Sequence, residues 1–427
     1  MRISKKKVIT ALDIGTTKIC AIISAINEDG ELEVRGIGST PSEGLSRGIV
    51  KNIEKASESI KKALEKAELN AEMKAQNIYA GIAGDHIRSF NAIGRISIPD
   101  SKDNESTEIT REDVKQVLNS AKRTIEFEKG HDNLEIIHAI PQYYEVDNET
   151  DIFNPVNMNG YYLTAHVHVV LADSNALRNL RKCIELAGYH EHAAVLEPIA
   201  SSFSVLDDNE RKLGCILLDI GSGTTDISVF FNESIRFSNV KAVGGDNVTS
   251  DLYIVLRTTP YYAEELKIKH GNALPETISE DEMVTLEGIG GRVESKQPLR
   301  KVSEIIEPRM REILDVAYRT VFSNFKQNMI TAGLVLTGGT ALLHNADKLA
   351  EEIFNMPVKI GYPDLKRLQG ATAELNSPIF ATSVGLLYYA LEELEEERPV
   401  TDGKTKTYKR NFKDSFKSVF KKITDYV

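Results

Sequence analysis

Two stretches of the chain repeat one arrangement of apolar and polar positions. The first is Thr10-Ala11-Leu12-Asp13-Ile14-Gly15-Thr16-Thr17-Lys18-Ile19-Cys20-Ala21-Ile22-Ile23. The second is Ile216-Leu217-Leu218-Asp219-Ile220-Gly221-Ser222-Gly223-Thr224-Thr225-Asp226-Ile227-Ser228-Val229-Phe230. Each reads as an apolar strand, a tight Gly/Thr turn beside an Asp, and a second apolar strand. A repeat on this scale predicts a duplicated α/β fold whose two halves face each other.

Periodicity fills in the rest. Apolar or small residues at Ile53, Ala56, Ile60, Ala63, Leu64 and Ala67 predict a helix over 53–68. The segments 78–98, 136–144 and 162–171 read as strands, 112–124 and 175–187 as helices, and 100–108 as a polar loop. Gly188 is placed to cap the second of those helices. A long helix is predicted over 302–327 with an interruption at Pro308, then a strand entering the turn Thr337-Gly338-Gly339-Thr340. A loop and helix over 377–394 end in acidic residues, and 399–407 is polar, like a linker.

Composition narrows the function classes. At 427 residues the chain suits two or three compact units. A net charge of -11 sets the surface against nucleic acid. Cys20, Cys183 and Cys215 form no CxxC pair, so a reducing compartment fits, without a zinc site or disulfide framework. The apolar stretch near the N-terminus is short for a signal peptide and is broken by Asp13. No apolar run approaches the roughly 20 residues of a membrane span.

The turns carry the candidate chemistry. Glycine lets backbone approach an anion closely, and N–H groups and Thr hydroxyls donate to phosphate oxygens. A strand-end Asp suits Mg²⁺ held through water, because that ion keeps most of its hydration shell. One such turn is indistinguishable from a polar hairpin. Two of them, facing each other, clamp a triphosphate, and the 337–340 turn offers flat backbone to an adenosine. His166 and His168 share one strand face, as a metal pair would, but no carboxylate or Cys accompanies them in the sequence, which favours a packed strand.

The order of these turns resembles the actin, heat-shock chaperone and sugar-kinase superfamily. Leu196-Glu197-Pro198-Ile199-Ala200-Ser201-Ser202 and the segment from Ser377 to Leu386 resemble its two connecting helices. Within it the chain is similar to the FtsA family of bacterial cell-division proteins. The segment from Val243 through Gly244, Gly245, Asp246 and Thr249 to Asp251 carries that likeness, as does Tyr262-Ala263-Glu264-Glu265-Leu266-Lys267. The resemblance implies an actin-like, two-lobed α/β fold with ATP and Mg in the cleft. Asp13 and Asp219 would orient Mg²⁺ and water. Gly15, Thr16, Thr17, Lys18, Gly221, Ser222, Gly223 and Thr224 would surround the phosphates. Glu264, Lys267, Gly338, Gly339 and Thr340 would flank ribose and base, with Gly244 and Gly245 also on the nucleotide side. Ser222 departs from the Gly of many relatives, which bears on the phosphate contacts. Glu197 stands where chaperone relatives place a water-polarising carboxylate. It is equally a helix N-terminal acid before Pro198, worth about 0.3–1 kcal/mol through the dipole. Any ATPase activity is expected to be slow, and the role mainly that of a scaffold.

The implied organisation is a first lobe of 1–85 with 166–205 and 372–396, and an FtsA-type inserted subdomain of 86–165. The second lobe is 206–242 with 304–371. It carries a further insertion of 243–303, where the family captures the C-terminal tail of FtsZ. Residues 397–408 are a linker and 409–427 a membrane-targeting amphipathic helix.

That last segment also speaks for itself. At about 100° per residue, Phe412, Phe416, Val419, Phe420, Ile423, Tyr426 and Val427 fall within about 120° of arc. Lys413, Lys417 and Lys421 flank them, and from Lys404 onward eight basic residues face two acidic ones, a net +6. This reads as an in-plane anchor for an anionic membrane; the ordinary alternative is a helix docked on the protein's own core. The expected protein sits on the cytoplasmic face of the inner membrane at the division site. There it binds FtsZ, later division proteins and copies of itself in head-to-tail filaments. Rival readings are other bacterial actins of the shape-determining or pilus-assembly kind, a metabolic kinase, and a chaperone ATPase. The inserted segment and the anchor's position argue against the first, and the basic tail against the second. The shortness of the chain beyond Leu394 argues against the third.

Overall fold

The computed structural model describes residues 7–28, 30–98, 106–126, 133–286 and 294–396. Its two largest sheets have the same topology. In the first, Leu32–Pro41, Lys18–Ile26, Val8–Ile14, Ile78–Ile82 and Glu191–Leu196 lie side by side, with Leu368–Gly370 added at one edge. The second runs Ser234–Lys241, Thr225–Phe231, Cys215–Ile220, Gly333–Thr337 and Val358–Ile360. In both, the first three strands pair antiparallel and the next two parallel. The repeat in sequence is therefore a repeat in fold. Val8–Ile14 and Cys215–Ile220 are buried at every position, which is why they read as unbroken apolar runs rather than alternating ones.

Helix Ile53–Ala71 buries Ala56, Ile60, Ala63, Leu64 and Ala67 on the first sheet, and Asn52 caps it by accepting from the Lys55 N–H at 3.0 Å. It outruns its predicted end by three residues, Asn70 and Ala71 among them. Between the lobes, helices Glu197–Val205 and Ala381–Glu396 cross at Gly385, where a Cβ would lie 1.8 Å from the Ala200 carbonyl oxygen. Backbone-to-backbone contact this close needs glycine.

A third unit hangs from the first lobe. Strands Glu149–Ile152, Leu134–Val146, Tyr162–Asp173 and Ile87–Ser97 form an antiparallel sheet with helix Arg111–Glu126 on one face and a core of its own. Strand Tyr162–Asp173 belongs to this sheet along its whole length, so the unit's sheet extends to Asp173. Of the polar loop, Thr107–Glu108 pairs with Asn159–Gly160, and 99–105 lie outside the described residues. His166 bonds Glu145 at 2.9 Å and stacks on Tyr143, while His168 bonds Asn91 and Ser238. Both histidines are sheet residues, and among the described residues no cluster of metal-ligating side chains occurs.

In the second lobe, helix Leu299–Phe322 continues without a break past Pro308 and stops at Phe322, short of the predicted 327. Ile306, Met310, Ile313 and Leu314 are buried on either side of the proline, and that packing offsets the hydrogen bond it removes. The predicted linker and amphipathic segment lie outside the described residues. Among those described, no helix is long and apolar enough to cross a membrane.

Candidate functional site

The two hairpins aim their turns at each other across the gap between the lobes. In the first, Ile14 pairs with Ile19, and the Gly15 N–H donates to the Lys18 carbonyl at 3.0 Å. In the second, Ile220 pairs with Thr225, and the Gly221 N–H donates to the Thr224 carbonyl at 2.9 Å. Both turns hold four residues, and Gly223 of the second lies against Thr16 of the first, where a Cβ would sit 2.6 Å from the Thr16 hydroxyl. Beside it the Thr17 hydroxyl donates to the Ser222 hydroxyl at 2.6 Å.

Behind the turns is a cleft of about 380 Å³. Its walls include Asp13, Gly15, Thr16, Thr17 and Lys18 from one side and Asp219, Gly221, Ser222, Gly223 and Thr224 from the other. Glu197 is at its floor, Glu264 and Lys267 on one flank, and Gly338, Gly339 and Thr340 on another. The fold thus gathers into one cavity residues scattered from 13 to 340. Gly244 and Gly245 are placed just behind the wall. The Gly245 N–H donates to the Gly221 carbonyl at 3.0 Å, and a Cβ on Gly244 would meet the Ser222 carbonyl oxygen at 2.6 Å, so these glycines support the second turn. Lys267 has its ammonium engaged by the Gly245 carbonyl, Thr249 and Glu264 at 2.7–3.1 Å, which fixes Glu264 at the rim.

Structure adds residues that lie in the quoted motifs but outside the candidate site set. Asp226 sits directly opposite Asp219 in the hairpin and also lines the cleft. Ser201 donates to Asp219 at 2.8 Å and Ser383 to Asp13 at 2.8 Å, each from a connecting helix. Thr382 lies 3.3 Å from Asp219 and 2.9 Å from Ser201. These hydroxyls had no signature beyond lying in the connecting-helix segments. Ile268, Leu342, Leu343 and Ile379 supply an apolar wall where a flat base would lie.

The electrostatics are those of a site built around something else. Burial raises Asp13, against the pull of Lys18 and the Ser383 hydroxyl. Burial pushes Asp219 up to about 6. Asp226 is held well above the usual carboxylate range by burial and then by Asp219. So is Glu197, by burial and then by Asp13, Asp226 and Asp219. A divalent cation among these groups would favour their ionised forms. The Lys18 ammonium is buried without a hydrogen-bond partner, 3.9 Å from the Phe380 ring centre, and one Asp226 oxygen is also unpartnered. A buried ammonium left without an acceptor fits a phosphate oxygen. Gly338, at φ +84°, backs Asp219 so closely that a Cβ would lie 2.4 Å from its carboxylate. The residues present therefore fit Mg-ATP. Bound there, the ion would offset phosphate charge, with Lys18 on the phosphates and Asp13 and Asp219 on the ion's waters.

Comparison with known proteins follows the same lines. The family model described as cell division protein FtsA matches residues 216–385, and that described as the SHS2 domain inserted in FtsA matches 84–171. Cell division protein FtsA of Pseudomonas aeruginosa is 38% identical over 91% of this chain and 90% of its own length. That of Neisseria meningitidis is 35% identical, over 90% and 91%. Among solved structures, the PilM–PilN type IV pilus biogenesis complex superposes with a TM-score of 0.61 at 15% identity, covering 90% of this chain and 98% of that one. MreB5 of Spiroplasma citri bound to ADP gives 0.51 at 14%, covering 92% and 99%. The structural likenesses define an actin-like fold; the sequence relatives define the family.

Proposed function

This chain belongs to the FtsA family of cell-division proteins, and from that premise we propose that it binds Mg-ATP between its lobes and couples FtsZ filaments to the membrane. The observation that carries the nucleotide reading is the buried, unpartnered Lys18 ammonium in a cleft of mutually raised carboxylates. The structural neighbour MreB5 of Spiroplasma citri, bound to ADP and to AMPPNP, supports it. Hydrolysis is slow, with Glu197 polarising water, and nucleotide serves chiefly to set a conformation for assembly. Calorimetry of Mg-ATP binding tests this: Asp219→Ala folds and loses affinity. Unchanged affinity in the folded variant overturns the site.

The FtsZ C-terminal tail docks on 243–303. Helices Gly245–Leu256 and Pro260–His270 expose Ile254, Val255 and Tyr261, the last at 74%, around Arg257. An acidic peptide finds both charge and apolar surface there. Arg300 and Lys301, also basic and in this insertion, are partly engaged within the chain. Arg300 is 3.7 Å from Glu280 and 3.4 Å from Glu304, and Lys301 donates to Gln297. Lys267 is inside the cleft and out of reach of a surface peptide.

The segment 409–427 lies in the cytoplasmic face of the inner membrane at the division site, with Phe412, Phe416, Val419, Phe420 and Ile423 toward lipid and Lys413, Lys417 and Lys421 toward headgroups. Copies of the chain stack head to tail, a heterologous contact that gives open filaments. Later division proteins bind the same assembly.

A further inference from the structure

Strand Glu191–Leu196 is the free edge of the first sheet, and Glu197 follows it directly. The N–H of an edge strand needs an acceptor from elsewhere when it is buried. For Leu196 that acceptor is His138 Nε2, at 3.0 Å, from strand Leu134–Val146 of the inserted subdomain. Leu196 is also the N-cap of helix Glu197–Val205, and no side chain within the helix caps it. The backbone immediately before the Glu197 carboxylate is thus held by a residue of another subdomain.

His138 is 2% exposed, and burial lowers it to about 4, so the ring is neutral near pH 7. A neutral imidazole has one donor and one acceptor. With Nε2 accepting from Leu196, the proton is assigned to Nδ1, and Nδ1 is buried without a hydrogen-bond partner. A donor left unsatisfied in a native interior asks for a role beyond packing.

Four residues along the same strand, Gln142 grips the second lobe. Its side-chain amide donates to the Ile235 carbonyl at 2.9 Å, and its backbone carbonyl accepts from the Ser234 hydroxyl at 3.0 Å. The neighbouring His168 bonds Ser238 of the same edge strand at 2.9 Å. One strand of the inserted subdomain therefore touches the first lobe at His138 and the second at Gln142.

We propose that His138 is a positioning residue for Glu197: by accepting the Leu196 N–H it ties the start of the Glu197 helix to the inserted subdomain, and through that subdomain to the second lobe. This rests on the reading of the cleft as an ATP site with Glu197 facing the attacking water. It makes the inserted subdomain, and any partner that shifts it, a modulator of nucleotide turnover.

The test uses the full chain with Mg-ATP. Gln places an amide oxygen near the position of Nε2, whereas Leu offers no acceptor. In His138→Leu, hydrogen exchange of the Leu196 amide in nucleotide-free protein accelerates about tenfold or more. Single-turnover hydrolysis slows about tenfold, about 1.4 kcal/mol, while Mg-ATP affinity stays within about threefold. His138→Gln restores both exchange protection and rate. If His138→Leu does not fold, His138→Asn replaces it, since its shorter amide does not reach Leu196. Parental hydrolysis despite an unprotected Leu196 amide overturns the proposal. So does a Gln variant that protects the amide yet stays slow, because the role is then packing. Two controls separate the underlying reading: a parent that binds no Mg-ATP overturns the ATP assignment, Glu197→Gln at the parental rate overturns the Glu197 assignment, and either takes the proposal with it.

Discussion

Thr17 and Ser222 are hydrogen-bonded hydroxyl to hydroxyl at 2.6 Å, joining turn tips 205 residues apart on opposite lobes. Gly223 pressed against Thr16 makes the same closure sterically. The mouth of the cleft is therefore latched by the same turns that are proposed to hold the phosphates.

Removing the latch should ease entry. A neutral hydrogen bond of this kind contributes about 0.5–1.5 kcal/mol. Ser222→Gly is expected to speed association of a fluorescent ATP analogue about two- to tenfold in stopped flow, with stability nearly unchanged. An association rate equal to the parent's would show that the Thr17–Ser222 bond does not gate the cleft.

Burial of the cleft carboxylates in their charged form opposes folding. Asp219 is raised to about 6, above its unfolded value. Between pH 4 and 6 the folded state then holds the extra proton, so this group's contribution falls as pH rises through that window, by roughly 3 kcal/mol at most. Asp219→Asn is expected to raise nucleotide-free stability at pH 7 and to flatten its own share of that pH dependence. It should also lose much of the Mg-ATP-induced rise in Tm. Parallel urea-denaturation series for parent and variant across pH 4–7 check the sign. A variant less stable than the parent at pH 7 without nucleotide would contradict it.

The helix crossing between the lobes tolerates no side chain. Gly385→Ala places a methyl 1.8 Å from the Ala200 carbonyl oxygen. Separation of the helices is expected to cost about 1–3 kcal/mol, seen as a lower urea midpoint. It should also weaken Mg-ATP binding, since Ser201, Thr382 and Ser383 hold Asp219 and Asp13 from these helices. A parental urea midpoint would mean that the crossing relaxes freely.

Membrane attachment should depend on the tail and on assembly together. A fully buried large apolar side chain contributes roughly 1.5–3 kcal/mol, and each lysine near an anionic leaflet about 1 kcal/mol, less the ordering of a short helix. One copy is expected to bind reversibly, and several on a filament durably. Deleting 409–427, or replacing Phe416 and Phe420 with Asp, is expected to abolish co-sedimentation with anionic liposomes while ATP and FtsZ-peptide binding persist. Liposome binding like the parent's would place the anchor elsewhere. Unfolding of the truncated chain would make the tail a core helix.

The sequence by itself determined the duplication and the ends of its strands. Apolar runs closed by Asp, Gly and Thr specify hairpins locally, because strand burial and turn chemistry both act over a few residues. That is why Asp13, Gly15, Asp219, Gly221 and Gly338 are legible as candidate site residues from the chain alone, and the fold brings them to one cleft. Helix Leu299–Phe322 was misjudged at Pro308 because packing from residues on both sides, which the local signal omits, keeps it intact. Tertiary structure alone decided that Ser201 and Ser383 hold the two aspartates, since a serine in a connecting helix has no pattern to mark it. It alone decided that His138 meets Leu196 across 58 residues, and that Arg300 lies beside Glu280 and Glu304. Those pairings come from sheets laid edge to edge and helices crossing at one glycine, and a contact between distant segments leaves no period in the chain.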